Sequence, residues 1–96
     1  MSKQNGIPII LCAGPQGRAV IYGRVESEPV AEQPIRLRNA RMVLHWTGSR
    51  GLFGVASEGP QGGSRITPVV SELYETTWLS WLRCSDDAAR VLEEWK

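Results

Sequence analysis

From the amino terminus, apolar positions first cluster in Ile7-Pro8-Ile9-Ile10-Leu11-Cys12, a run closed by Ala13-Gly14-Pro15-Gln16-Gly17. A short apolar run bounded by glycine and proline predicts a strand followed by a turn. Ala19 to Glu26 supplies Val20, Ile21, Tyr22 and Val25, a second β-branched and aromatic run, and the two segments pair as a hairpin. Gly23 inside the second run marks a bulge or a close approach of backbone, because glycine weakens a strand unless its missing side chain is used.

Ser27 to Pro34, preceded by Glu26 and containing Glu28 and Glu32, reads as an exposed acidic loop. Ile35-Arg36-Leu37-Arg38 alternates apolar and basic, which turns Ile35 and Leu37 to the core and the arginines outward. After Asn39-Ala40 the strand resumes over Arg41 to Trp46. Period-two spacing sets Met42, Leu44 and Trp46 on one side and Arg41, Val43 and His45 on the other. Thr47-Gly48-Ser49-Arg50-Gly51 is a turn whose serine or threonine is placed to cap a short helix, Leu52 to Ser57, that Gly59-Pro60 ends. Gln61 to Ser64 is a second glycine-rich loop.

Val69 to Arg83 fits two periods: Val70, Leu73, Tyr74, Trp78, Trp81 and Leu82 share a helical face, while Thr76 to Leu82 is rich in β-formers. We divide it into a turn of helix and a strand. Ser85 is the N-cap of a last helix. Asp86 and Asp87 favour its positive end, and Ala88, Ala89, Val91, Leu92 and Trp95 form its apolar stripe. The expected fold class is therefore α+β: a small, β-rich, barrel-like or curved antiparallel sheet with a short middle helix and a C-terminal helix.

Composition narrows the function classes. The 96 residues suffice for one domain over 1–96, with the polar residues 1–6 as a flexible lead. A net charge of +1 gives no global field for bulk nucleic acid or anionic membrane, so any anion site is local. The apolar run Ile7 to Ala13 is too short for a membrane span or signal peptide, which points to the cytoplasm. Cys12 and Cys84 have no zinc-ligand spacing and read as small buried hydrophobes in a reducing compartment.

No nucleophile elbow, phosphate loop or dinucleotide fingerprint occurs, and His45 is the only histidine, so neither catalysis nor a metal or other cofactor is expected. The carboxylates read as solvated surface, with Glu93 and Glu94 on the polar face of the last helix. The informative constellation is Arg41, His45, Trp46, Thr47, Ser49, Arg50 and Arg65, with Arg36, Arg38 and Asn39 nearby. Arginine forks bind phosphate, aromatic faces stack on bases, and hydroxyls and helix N-termini anchor anions. These residues describe either a phosphorylated-nucleotide pocket or a solvated basic strand with a tryptophan in the core.

The stretch Leu37-Arg38-Asn39-Ala40-Arg41-Met42-Val43-Leu44-His45-Trp46-Thr47-Gly48 resembles a family of small uncharacterised phage and prophage proteins. The resemblance continues through Glu58-Gly59, Pro68-Val69 and Cys84-Ser85-Asp86, and spans most of the chain from Val20 onward. It implies a protein that counters bacterial defence in the host cytosol. In size and lack of catalytic motif the chain is similar to sponges, oligomers that sequester cyclic ADP-ribose isomers or cyclic dinucleotides. The expected ligand is then a phosphorylated nucleotide signal. The alternative is a protein-binding module that inhibits a host enzyme or serves in phage assembly.

A homo-oligomer, a dimer first, is also expected. Ligand pockets span about 300–1,000 Å³, more than one small chain encloses easily, and a core this small has difficulty burying four tryptophans.

Overall fold

The computed structural model describes residues 6–47 and 50–96. Six strands and two helices follow the order β1 (Ile7–Ala13), β2 (Ala19–Val25), β3 (Ile35–His45), α1 (Gly51–Glu58), β4 (Arg65–Ile66), β5 (Val70–Glu75), β6 (Trp78–Arg83) and α2 (Asp86–Glu93). The strands make one curved antiparallel sheet that does not close into a barrel. Its main path is β4-β3-β2-β1-β6, and β5 pairs with the first half of β3. The expected hairpin is present, with Ile7 opposite Val25 and Ala13 opposite Ala19.

Alternation divides the core into two clusters. Ile10, Val20, Tyr22 and Val43 face the helices and pack with Val55, Ala56, Ala88, Ala89 and Leu92. Ile9, Leu11, Ile21, Val25, Ile35 and Leu37 face the other side, where the curved sheet packs on itself without a helix. Gly23 lies at that inner side, and a Cβ there would come within 2.9 Å of the Leu37 Cβ. The glycine thus serves a close approach between β2 and β3.

Asn39 changes the phase of β3. Its φ of 53° is left-handed, a region that asparagine tolerates better than branched residues. Tyr22 pairs with Arg41 while Arg24 pairs with Arg38, so β3 carries one residue more than β2 across this step. Before this bulge Ile35 and Leu37 face the helix-free side; after it Ala40 does, and Arg41 and Val43 turn to the helices. A bulge has this effect because side chains alternate with period two.

The turn of helix expected near Val69 is corrected: Val70–Glu75 is a strand, edging β3 with Leu73 opposite Leu37. Its hydrogen bonds to β3 outweigh a helical periodicity that no neighbouring face uses. The link to β6 is Thr76-Thr77, and Trp78 Nε1 donates to the carbonyl of Gln33 at 2.7 Å, bringing the acidic loop against β6. Arg83 of β6 also pairs with Glu28 of that loop at 2.5 Å.

Ser85 caps α2 as expected: its Oγ accepts from Ala88 N at 3.0 Å and donates to the Ser57 carbonyl at 2.7 Å. One side chain therefore starts α2 and docks it on the end of α1. For α1 the expectation is corrected, since the N-cap is Arg50 and no side chain caps it. Cys84 is buried, Cys12 is half-buried, and both are free thiols. Among the described residues no helix is long and apolar enough to cross a membrane. Of the lead expected to be flexible, residues 1–5 lie outside the described residues, and the Gly6 carbonyl accepts from Arg24 Nη1 at 3.0 Å.

Candidate functional site

The far end of β3 carries most of the residues singled out from sequence. His45, its last residue, is exposed and pairs across β4 with exposed Arg65. Thr47 follows and joins the two glycine-rich loops: its N–H donates to Ser64 Oγ at 3.1 Å and its Oγ1 donates to the Gly62 carbonyl at 2.8 Å. Arg50 stands at the start of α1 and pairs with Glu58, one helix length away, at 2.8 Å. Between Thr47, Arg50, Gly54, Glu58 and Gln61 lies a cleft of about 40 Å³.

Of the other three residues, two stand differently. Trp46 leaves the alternation of β3 and packs half-buried against the helix-side core, which commits much of its indole to packing. Ser49 lies outside the described residues. Arg41 is buried, and its guanidinium donates to the carbonyls of Thr67 at 2.8 Å, Leu92 at 2.8 Å and Trp95 at 2.9 Å. A cation at the carbonyl end of α2 satisfies groups that the helix itself leaves unpaired. Its donors therefore bind backbone where the sequence suggested phosphate.

A second buried charge group ties β2 to α2. Glu93 Oε2 accepts from the Tyr22 hydroxyl at 2.5 Å and from Arg24 Nε at 2.7 Å. The Arg24–Glu93 pair is mostly withdrawn from water, which corrects the placement of Glu93 on a solvated helix face. Burial, followed by the Glu93 hydrogen bond and charge, pushes the Tyr22 phenol well above its ordinary range. Tyr22 therefore acts as a neutral donor. Among the described residues, no cluster of three or more His, Cys, Asp or Glu is placed to hold a metal.

On the helix-free side of β3 lies a surface that sequence reading did not single out. Ile21, Ala40, Met42, Pro68, Val70 and Leu73 line an apolar groove of about 210 Å³. Arg41 also contributes to its wall, but its guanidinium is spent on the three carbonyls. Leu44, two residues beyond Met42 where the pairing of β3 with β4 shifts register, is 58% exposed, and Val69 is 48% exposed beside Val70. The signal was present in the alternation of Met42 and Leu44, but the Asn39 bulge decides which side of that alternation is core. A shallower apolar hollow of about 420 Å³ lies between α1 and β6, under Phe53.

Residues 8–92 match the family described as Domain of unknown function (DUF6948). The chain belongs to this family. The matched span takes in the whole sheet apart from Ile7, both glycine-rich loops and α2 as far as Leu92, so the groove and the β3 end both lie within the family domain. No curated protein matches the chain, and no solved structure matches it.

Proposed function

We propose that this chain is a non-enzymatic binding protein that docks another protein surface in the apolar groove beside β3. The observation that carries this reading is the apolar lining of that groove, in which Ile21, Ala40, Pro68 and Leu73 stand with the exposed Met42 and Val70, while exposed Leu44 and Val69 follow or precede these two closely along the chain. A contiguous apolar patch on a small soluble domain marks an interaction surface more often than scattered exposure does. Its setting is a phage protein acting in the host cytosol, against a host enzyme or in phage assembly, which rests on the resemblance of Leu37 to Gly48. Affinity capture from infected bacteria with the native chain and with Met42→Asp, a change in the exposed groove wall, tests it. A partner held by the first and lost by the second is the expected result, and identical captures refute it.

A second reading has its own observation: His45, Thr47, Arg50 and Arg65 converge where the two glycine-rich loops meet. In that reading the end of β3 holds the phosphate of a nucleotide signal, as a sponge does. The cleft of about 40 Å³ is far below the roughly 300 Å³ that a small-molecule pocket needs, so a second chain would have to complete it. Calorimetry against ADP-ribose isomers and cyclic dinucleotides is the test, and a ligand no tighter than about 100 μM, roughly 5.5 kcal/mol, removes it.

A further inference from the structure

We propose that residues 28–33 of the acidic loop form a lid over the helix-free side of the sheet, latched to β6 at both ends and released by salt.

The two latch points match in order and spacing. Glu28 pairs with Arg83 at 2.5 Å, and the Gln33 carbonyl accepts from Trp78 Nε1 at 2.7 Å. Glu28 and Gln33 are five positions apart, and so are Arg83 and Trp78, the last and first residues of β6. The segment therefore runs antiparallel to β6 along its length without joining the sheet as a strand.

The register of β6 on β1 decides which side the segment crosses. Arg83 lies opposite Ile9, Trp81 opposite Leu11 and Trp78 opposite Ala13, and directly opposed residues of antiparallel strands share a face. Those three β1 residues belong to the helix-free core cluster, against which Trp78 and Trp81 pack half-buried. The Arg83 guanidinium also lies 5.9 Å from the Trp81 ring centroid, so the latch cation rests on an indole. On this side no helix covers the core, and the loop takes that place.

Backbone chemistry makes the segment move as a unit. Both latch residues precede a proline, Pro29 and Pro34, and the residue before a proline is held extended. Between them the Gln33 N–H donates to the Val30 carbonyl at 3.1 Å, closing a turn in which Glu32 takes a left-handed φ of 67°. The attachment to β6 is weaker than this internal order. The Glu28 and Arg83 side chains keep 64% and 49% of their exposure, and an ion pair so exposed contributes little and is screened by salt. The loop also walls a cavity of about 210 Å³ whose other side is formed by Val25 and Ile35, so release of the latch opens that cavity.

The test reads one latch point while breaking the other. Hydrogen exchange of the Trp78 indole N–H, followed by NMR on the full chain and assigned by its loss in Trp78→Phe, reports on the Gln33 end. In Glu28→Gln this proton should exchange about two- to fivefold faster, the factor for an exposed ion pair, with the circular dichroism spectrum and the Trp95 indole rate unchanged. At about 1 M salt, where the Debye length is about 3 Å, the native chain should show the same acceleration and Glu28→Gln little more.

If Glu28→Gln disturbs the fold, the salt series on the native chain decides alone. A Trp78 indole rate indifferent to both Glu28→Gln and salt overturns the lid, because the two contacts then act separately. Acceleration of the Trp95 indole by the same factor also overturns it, since the whole chain and not the loop is then opening.

Discussion

Tyr22 donates its phenol hydrogen to Glu93 across 71 residues of sequence, at 2.5 Å. The same carboxylate receives Arg24, so one side chain of α2 organises two neighbours on β2. Tyr22→Phe removes one donor from a largely buried carboxylate and should cost about 1–3 kcal/mol in urea unfolding. Glu93→Gln leaves the Arg24 cation without its partner and should cost more, about 2–4 kcal/mol.

The pH dependence of stability follows from the same region. Burial, opposed by Arg24 and reinforced by Glu93, pushes the Cys84 thiol from 9.0 up to about 12, and the Tyr22 phenol is raised from 10.0. Both folded-state values exceed the unfolded ones, so this stability is complete below about pH 9 and is lost as pH rises toward 12. Urea midpoints should be flat through neutrality and fall above about pH 9. Cys84→Ala should remove the first part of the fall and leave that of Tyr22.

Arg41 is a structural cation, and its replacement tests that role. Arg41→Ala strands three carbonyls at the junction of β3, the Thr67 loop and α2, at an expected cost of about 2–4 kcal/mol. Arg41→Lys keeps the charge but not the fork, and should recover only part of the loss in thermal unfolding.

Asn39 is the position where β3 changes phase. Asn39→Gly suits the left-handed backbone and should be tolerated, whereas Asn39→Val places a branched residue at a φ of 53° and should cost about 1–3 kcal/mol. An unfolding midpoint for Asn39→Val equal to that of the native chain would contradict the bulge.

For the nucleotide reading, Arg65→Ala should weaken any phosphorylated ligand by about 1.5–3 kcal/mol, the range for a charge-assisted bond, without changing stability. Arg50 should matter less, because Glu58 already occupies its guanidinium. Calorimetry with both variants separates the two arginines.

The elements legible in the sequence were those that local chemistry specifies. The Ile7–Cys12 and Ala19–Glu26 runs predicted a hairpin because β-branched alternation and a glycine-proline turn are local signals. The Ser85 cap and its following aspartates announced α2 for the same reason. Gly23 inside a strand reads as a bulge or a close approach, and both are present: Leu37 is what approaches it, and the pairing of β2 with β3 shifts register between Tyr22 and Arg24. The segment from Val69 to Arg83 was less legible, since two periods competed and only its pairing with β3 resolved them.

Candidate residues divided along similar lines. Thr47 and Ser49 read as hydroxyls able to anchor an anion; Thr47 instead bonds to Gly62 and Ser64 of the second glycine-rich loop, and Ser49 lies outside the described residues. Whether an arginine meets solvent or backbone is not written in its neighbours. Arg41 and Arg65 look alike in sequence, yet Arg41 turns toward the carbonyl end of α2, some fifty residues away, and Arg65 remains exposed.

The sequence by itself determined the first hairpin, the long strand β3 and the capped last helix, because propensity, capping and alternation act within a few residues. The tertiary structure alone decided which face of β3 is core. A single left-handed residue, Asn39, inverts the alternation there. Arg41 and Val43 turn inward toward the helices, and Met42 and Leu44 are left on the surface. Such a phase change depends on the register of β3 against β2, a long-range pairing that no local pattern encodes.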